Sequence, residues 1–376
     1  MVKVLLVVSN SILNGTERCV INIAKSLNNE NFEIWVATPE QGQLSDILKE
    51  YSIKEFVYNN GKIGKFSFHG SKNLYKFIKE KKFDIVHANS GIIPCVIGKL
   101  LGVKLCLETK HGLFFSQKEL ENISFKHKIY EKIKEYFVNY FVVVSDNDRE
   151  RLIKFFNIKE RKIKVIYYGI DLKKLEPFIK EKSKFKKEKS VIGNIGRLTY
   201  QKGQDILIKS FLKLLSLEKN VELIIIGDGE DEQMLKNIIH ENNLEEFIKI
   251  INYKKNIFEY FSSFDIFVLT SRFEGIPFVL YESMKLGIPV ISTEVGGINK
   301  IIQNDYNGIL IEVDNIDQTT NAMKRLISDK ELYCKMRKNA IDSVEKYGLQ
   351  NMVKEYENLY HQFLKNQRAE VKFQTN

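Results

Sequence analysis

The feature that most constrains this chain is an alternation. Short apolar runs rich in Val, Ile, Leu and Phe are separated by segments of helical period, from the first residues to beyond residue 310. Strands this apolar bury both faces, and the connections between them are long enough for a crossover helix. The pattern therefore predicts parallel sheets with helices on both sides, an α/β fold. Strands are expected at 3–8, 33–38, 54–58, 84–88, 104–109, 140–144 and 163–167, then at 190–195, 221–226, 248–251, 264–270, 289–292 and 308–311. Between the two series, residues 177–190 are charged and have no apolar period, which reads as a linker. A chain of 376 residues is also too long for one ordinary core. Two domains are expected, 1–176 and 190–348, followed by a helix near 350–366 and a disordered tail over 367–376.

Charge and cysteine usage narrow the classes. Net charge is +10, and residues 1–170 hold 27 Lys and Arg against 18 Asp and Glu, so the first half carries nearly all the excess. Such a half could face an anionic membrane, an anionic acceptor or nucleic acid; a Lys-rich surface is the plain alternative. No basic stretch interleaved with aromatics supports nucleic acid. No apolar run reaches the roughly 20 residues of a bilayer span, and the first strand is too short for a secretory leader. Cys19, Cys95, Cys106 and Cys334 show neither metal spacing nor a disulfide framework, which fits a reducing cytoplasm. Residues 118–139 repeat Phe125, Ile129, Ile133 and Phe137 beside several lysines. They are read as one helix packed on the first sheet, with an interfacial membrane helix as the alternative.

In open α/β sheets, ligands bind beyond the carboxyl ends of the strands. Asn14-Gly15-Thr16, His111-Gly112, Gly196-Arg197 with Lys202, Gly227-Asp228-Gly229, Glu274-Gly275-Ile276 and Gly296-Gly297 each follow an expected strand. Arg197 and Lys202 are natural counter-ions for a diphosphate. Pro277 suits the first position of a helix whose N-terminus would favour a phosphate. Glu274 precedes that helix, and Glu282 lies roughly 7 Å further along its axis. Acceptors on either side of an anion site suit a nucleotide sugar. On spacing alone, a surface helix with two solvated carboxylates is the simpler account. Gly227-Asp228-Gly229 reads as a turn and helix cap. Asp146-Asn147-Asp148 could hold a metal, but Ser145 before an amphipathic run makes it a helix start, and no metal is expected.

Taken together, these residues resemble the retaining glycosyltransferases of family 4, the group 1 glycosyl transferases. The resemblance is carried by Gly196-Arg197-Leu198 with Lys202-Gly203, by Ser271…Glu274-Gly275…Pro277…Glu282-Ser283-Met284…Gly287-Ile288-Pro289, and by Gly296-Gly297-Ile298 with Asn307-Gly308. Asn14-Gly15-Thr16-Glu17 and Thr109-Lys110-His111-Gly112 match the family's first loop and strand-end histidine, with Asn14 replacing a glycine and Tyr167-Tyr168-Gly169 replacing a Pro-Asn-Gly turn.

The resemblance implies a GT-B fold, two Rossmann-like parallel-sheet domains facing across a cleft. The first would be the acceptor side, the second would bind a nucleoside-diphosphate sugar, and the last helix would cross back onto the first. It implies a metal-independent hexosyltransferase-type enzyme with no cofactor, a UDP-sugar being the leading donor. The acceptor would be a glycan or lipid-linked molecule in surface polysaccharide, lipopolysaccharide or glycoconjugate synthesis. Arg197 and Lys202 would neutralise the diphosphate, and Glu282 would take the ribose hydroxyls. Glu274 and the N–H groups of Gly275, Ile276 and Phe278 would hold the sugar and distal phosphate. Gly196 belongs to the same donor loop, His111 would touch the sugar, and Gly15 and Thr16 would approach the phosphate or acceptor. The expected location is cytoplasmic, with peripheral contact to the inner membrane face through the basic first domain. A nucleotide-sugar epimerase of the same fold and a non-catalytic subunit are the alternatives.

Overall fold

The computed structural model describes residues 1–27, 29–59, 67–113, 115, 117–179, 189–253 and 257–374, apart from the side chains at 117–118 and beyond 362. Most of the expected linker, residues 180–188, lies outside the described residues. The chain divides into two compact units: Met1–Leu113, Gln117–Gly169 and Leu349–Asn376 form one, and Phe114–Ser116 with Ile170–Gly348 form the other.

The first unit is built on a seven-stranded sheet in which every recorded pairing is parallel. Its strands are β1 (Val2–Val7), β2 (Phe32–Thr38), β3 (Lys54–Val57), β4 (Ile85–Ala88), β5 (Leu105–Lys110), β6 (Tyr140–Val143) and β7 (Ile163–Val165), in the order β3-β2-β1-β4-β5-β6-β7. Val4, Leu5, Leu6 and Val7 of β1 are fully buried, as a central strand covered on both faces requires. The order reverses at β1, so the loops leaving β1 and β4 part there and open a crevice at the carboxyl edge. The helix Gly15–Leu27 covers one face with Cys19, Val20, Ile23, Ala24 and Leu27. The last helix, Leu349–Gln374, belongs to this unit and runs past the 366 expected for it. It packs Tyr360 edge-on to Phe32 and takes the Gly169 N–H on Met352 Sδ at 3.2 Å.

One expected packing is reversed. The single helix read over 118–139 is two, Gln117–Glu121 and Phe125–Phe137, because the Ser124 side chain caps the second by accepting the His127 N–H. Its apolar stripe does not meet the sheet: Phe125, Ile129 and Ile133 are exposed, while Glu131, Lys134 and Glu135 are buried. The cause lies on β5. Lys110 pairs with Glu131 at 2.8 Å, and Lys134 reaches both Glu131 at 2.8 Å and Glu108 at 3.5 Å. Two charges of each sign pair in the interior, and this fixes which side of the helix turns inward.

The second unit holds a six-stranded parallel sheet in the order β10-β9-β8-β11-β12-β13. Its strands are β8 (Ser190–Ile195), β9 (Val221–Ile226), β10 (Ile248–Ile251), β11 (Ile266–Leu269), β12 (Val290–Thr293) and β13 (Ile309–Ile311). The core joins Ile192, Leu207, Phe211, Leu223, Val268 and Met323. The helices Gln204–Leu215 and Ile316–Ser328 lie against each other, tied by Thr320 Oγ1 donating to the Ser210 carbonyl at 3.0 Å. Here the order reverses at β8, so the loops after β8 and β11 leave adjacent strands at one edge. Pro277 is not the first helical residue. It is the N-cap in extended conformation (φ −75°, ψ 131°), and the helix is Phe278–Lys285. After β12 the chain makes a single 3-10 turn, Ile298–Lys300.

Candidate functional site

In the second unit the loop after β8 is fastened to the loop after β11. The Thr270 hydroxyl donates to the Gly203 carbonyl at 2.8 Å, the Arg272 N–H to the Gln201 carbonyl at 2.8 Å, and Gln201 Nε2 to the Phe273 carbonyl at 3.0 Å. Gly203 must be glycine: its φ is +65°, and a Cβ there would lie 2.2 Å from the Thr270 oxygen. This fastening brings Lys202 onto Glu274, and the two form an ion pair. Glu274 Oε1 also accepts from the Ser271 hydroxyl at 2.8 Å. Arg197 follows Gly196 at the end of β8, is exposed, and donates to Gln201 Oε1 at 2.9 Å.

The loop after β12 closes on the same place. Gly297 N–H donates to the Gly275 carbonyl at 3.2 Å. Gly296, at φ +59°, passes so close that a Cβ would stand 2.1 Å from the Glu274 carbonyl oxygen. Gly275 and Ile276 are buried in the turn before the helix, and Phe278 is buried at its start. Glu282 lies about one turn further in and is 1% exposed. The account of two solvated carboxylates on a surface helix therefore fails: Glu274 and Glu282 are both buried, and a buried carboxylate is retained only where charge or hydrogen bonds compensate it.

In the first unit, Gly15 and Thr16 open the helix Gly15–Leu27, and Glu17 reaches back to accept the Asn14 N–H at 3.2 Å. Burial raises the Glu17 carboxyl above its ordinary value. His111 follows β5, two strands from β1 in the sheet. Its ring stacks on Tyr168 with centroids 5.8 Å apart. Its Nδ1 lies 2.7 Å from the Tyr168 hydroxyl and its Nε2 lies 3.2 Å from Asn89 Oδ1. Asn89 Nδ2 donates to the His87 carbonyl, so Oδ1 is the end that faces His111. His111 therefore carries its proton on Nε2 and accepts from Tyr168 on Nδ1. Packing around the ring pushes its pKa down to about 3, so the imidazole is neutral at physiological pH.

Two turns do other work than expected or show why it was expected. Asp228 caps no helix: it accepts from Asn252 Nδ2 at 2.7 Å and the Tyr253 N–H at 3.1 Å, while the next helix starts at Glu232. Ser145 does cap the helix Asp146–Phe156, accepting the Asp148 N–H at 3.1 Å. Asp148 then takes the Leu113 N–H at 3.1 Å, and Asp146 takes the Tyr167 hydroxyl at 2.7 Å. Among the described residues no group of three or more His, Cys, Asp and Glu is placed to hold a metal.

The sequence reading gave no role to Asn89 or Arg272 and took Ser271 only as part of the matching motif. Arg272 grips Asp205 through two bonds of 3.0 Å, meets Asp314 at 2.8 Å and lies over the Tyr200 ring. It thereby stiffens the turn that presents Lys202. Its position between Ser271 and Glu274 was the available signal. The expected residues fall into two sets, Gly15, Thr16 and His111 on one unit, and Gly196, Arg197, Lys202, Glu274, Gly275, Ile276, Phe278 and Glu282 on the other.

Known proteins are similar to this chain in sequence and in fold. A family model described as Glycosyl transferases group 1 matches residues 176–343, and one described as Glycosyltransferase Family 4 matches residues 13–174. The UDP-Gal:alpha-D-GlcNAc-diphosphoundecaprenol alpha-1,3-galactosyltransferase of Escherichia coli is 30% identical over 337 residues, covering 85% of this chain and 87% of that protein. The capsular polysaccharide biosynthesis glycosyltransferase CapM of Staphylococcus aureus is 27% identical over 318 residues, 78% of this chain and 80% of CapM. The crystal structure of Anabaena Alr3699/HepE in complex with UDP matches with a TM-score of 0.81 at 20% identity, covering 96% of this chain and 100% of that one, a likeness of fold. The chain belongs to glycosyltransferase family 4, the group 1 glycosyl transferases, and is a glycosyltransferase of the GT-B fold.

Proposed function

We propose that this enzyme moves a sugar, with retention of configuration, from a UDP-sugar to a lipid-linked or glycan acceptor in surface polysaccharide or glycoconjugate synthesis. The observation that carries the reading is the ion pair of Lys202 with Glu274 beside Arg197, at the carboxyl edge where the sheet order reverses. The named relatives, one using UDP-Gal on a diphosphoundecaprenol-linked sugar and one in capsule synthesis, support the donor and acceptor classes. A peripheral contact with an anionic membrane through the basic first unit belongs to the same reading, as does a cytoplasmic location. No cofactor is proposed; the nucleotide sugar is a substrate.

The chemistry follows from where charge develops. The bond from the sugar's anomeric carbon to the β-phosphate oxygen breaks, and its electron pair leaves with UDP. The acceptor hydroxyl forms the new bond on the face being vacated, and its proton passes to the departing phosphate oxygen. Arg197 and Lys202 stabilise the growing negative charge, an effect that outweighs other contributions in many enzymes. Glu274 positions the sugar with the N–H groups of Gly275, Ile276 and Phe278, and Glu282 takes the ribose hydroxyls. Lys202 and Ser271 hold Glu274 through its Oε1, which orients the carboxylate as a hydrogen-bond acceptor. His111 is assigned to the sugar, and Gly15 and Thr16 to the phosphate or acceptor.

The test has two stages. Nucleotide sugars are screened by thermal shift, since a ligand at about 100 times its Kd adds about 2.7 kcal/mol. With the donor found, Lys202→Ala and Glu274→Gln should each lower kcat/KM on the order of 100- to 1000-fold while keeping the wild-type far-UV spectrum. Undiminished transfer by both variants would end the reading. Conversion of the donor alone to an epimer, seen by NMR, would favour the epimerase instead.

A further inference from the structure

The segment Asp146-Asn147-Asp148 stands at a place in the sheet that gives its two carboxylates a use beyond capping a helix. Strand β6 lies between β5 and β7, with Lys110 beside Val143 and Val143 beside Val165. The loops leaving β5 and β7 therefore flank the helix Asp146–Phe156, which starts soon after β6. On the β5 side, Asp148 Oδ1 accepts the Leu113 N–H at 3.1 Å and Arg151 Nη1 donates to the Leu113 carbonyl at 3.2 Å. One turn of helix thus holds both backbone groups of Leu113, directly after Gly112 turns the chain at φ +141°. On the β7 side, Asp146 Oδ2 accepts the Tyr167 hydroxyl at 2.7 Å, and the next residue, Tyr168, donates to His111 Nδ1 at 2.7 Å. Asp148 is 1% exposed, and its Oδ2 takes the Ser145 hydroxyl at 2.8 Å, so the buried carboxylate is compensated at both oxygens. A cap needs only the Ser145 oxygen on the Asp148 N–H; the bonds to Leu113 and Tyr167 serve the neighbouring loops.

We propose that Asp146, Asp148 and Arg151 are positioning residues for His111: they fix the loops after β5 and β7 so that Tyr168 and Asn89 hold its ring in one orientation and one tautomer. The three act through those loops and not on the ring itself. Tyr168 and Asn89 supply the two contacts on the ring nitrogens, and each sits on a loop of its own. A ring held in this way stays where a sugar can meet it, since His111 keeps part of its surface accessible. Misplacing a contact by about 1 Å can cost on the order of 100-fold in rate, so a loop anchor remote from the sugar can govern turnover. The inference deepens the assignment of His111 to the sugar and rests on that reading for its catalytic consequence. The state of the ring is measured without any transfer, so each can fail alone.

The test begins with nitrogen NMR of the full chain labelled at its histidine rings, His111→Asn assigning the signal. The ring faces the Tyr168 hydroxyl, the Asn89 amide and the buried His87, so its titration reports how tightly it is held. In wild type the His111 signals should stay constant from about pH 7.5 to about 5.5. In Asp148→Ala and in Arg151→Met they should titrate with a midpoint of about 6.5. Asp148→Asn keeps an oxygen for the Leu113 N–H and should behave as wild type. Arg151 is partly exposed, so Arg151→Met keeps the test open if Asp148→Ala does not fold. Turnover is read as UDP release from UDP-glucose, UDP-galactose or UDP-N-acetylglucosamine, whichever wild type consumes fastest. Asp148→Ala should lower it on the order of tenfold, and Asp148→Asn should not. In a His111→Ala background the same Asp148→Ala change should cost less than about twofold. His111 signals that stay constant in both Asp148→Ala and Arg151→Met overturn the proposal, and so does an Asp148→Ala loss that is equal with and without His111. Full turnover by His111→Ala takes the ring off the sugar and overturns the catalytic consequence alone.

Discussion

At the scale of single residues, the first unit keeps two imidazoles neutral. His87 is fully buried between the Tyr360 hydroxyl and the Thr109 hydroxyl, and burial, with a smaller effect of His111, pushes its pKa down to about 3. His111 is held at about 3 by burial. The unfolded chain takes a proton on each below about pH 6.5, whereas the folded chain does so only near 3. Between those values the unfolded state binds more protons, so stability rises with pH by about 1.4 kcal/mol per unit for each histidine. Urea unfolding of wild type and His111→Asn, followed through Trp35, the single tryptophan and a residue of β2, should show the variant with the shallower slope from pH 6 to 4. Identical slopes would mean that His111 is not held neutral. The residue was legible as a strand-end histidine. Its tautomer was not, because Asn89 and Tyr168 lie 22 and 57 positions away in the chain.

At the scale of elements, the charged interior of the helix Phe125–Phe137 sets a pH window. Burial alone would raise the Glu131 carboxyl, but Lys110 and Lys134 outweigh it and hold the carboxyl below its ordinary value. Burial likewise opposes charge on Lys134, and Glu108 and Glu131 outweigh it and hold the ammonium above its ordinary value. The contribution of Glu131 is thus present above the usual carboxylate pKa of about 4.3 and is lost as pH falls through its lower folded value. That of Lys134 is present below about 10.4 and is lost as pH rises through its higher folded value. Glu131→Ala leaves Lys110 and Lys134 with Glu108 as their one recorded acidic partner and should cost about 3 kcal/mol. The loss should be constant from about pH 5 to 9 and shrink at more acid pH, read by Trp35 fluorescence in urea. A loss below about 0.5 kcal/mol would show the network to be solvated. Helical period found the stripe but merged two helices into one, and it could not say which side faces the sheet. That depended on Glu108 and Lys110, contributed by a strand before it.

At the scale of the molecule, the closing helix completes the first unit. Met352, Tyr356, Leu359 and Tyr360 are buried, and Tyr360 reaches His87 at 2.8 Å. Ending the chain at Gly348 should lower the Trp35 transition sharply while leaving the UDP-induced thermal shift of the second unit in place. Loss of that shift would show that the second unit does not hold the nucleotide without the first. No helix among the described residues is long and apolar enough to cross a membrane. The sequence by itself determined the two parallel sheets and the edge at which their loops gather. Apolar strands need cover on both faces, parallel strands need crossover helices, and crossovers return each functional loop to the same edge. Only the tertiary structure decided that Lys202 closes on Glu274, that Glu282 is buried, that Pro277 stays outside its helix and that a lysine-edged stripe faces outward. Each depends on partners distant in the chain, and a periodic pattern records spacing along one element, not the charge of the surface that element meets.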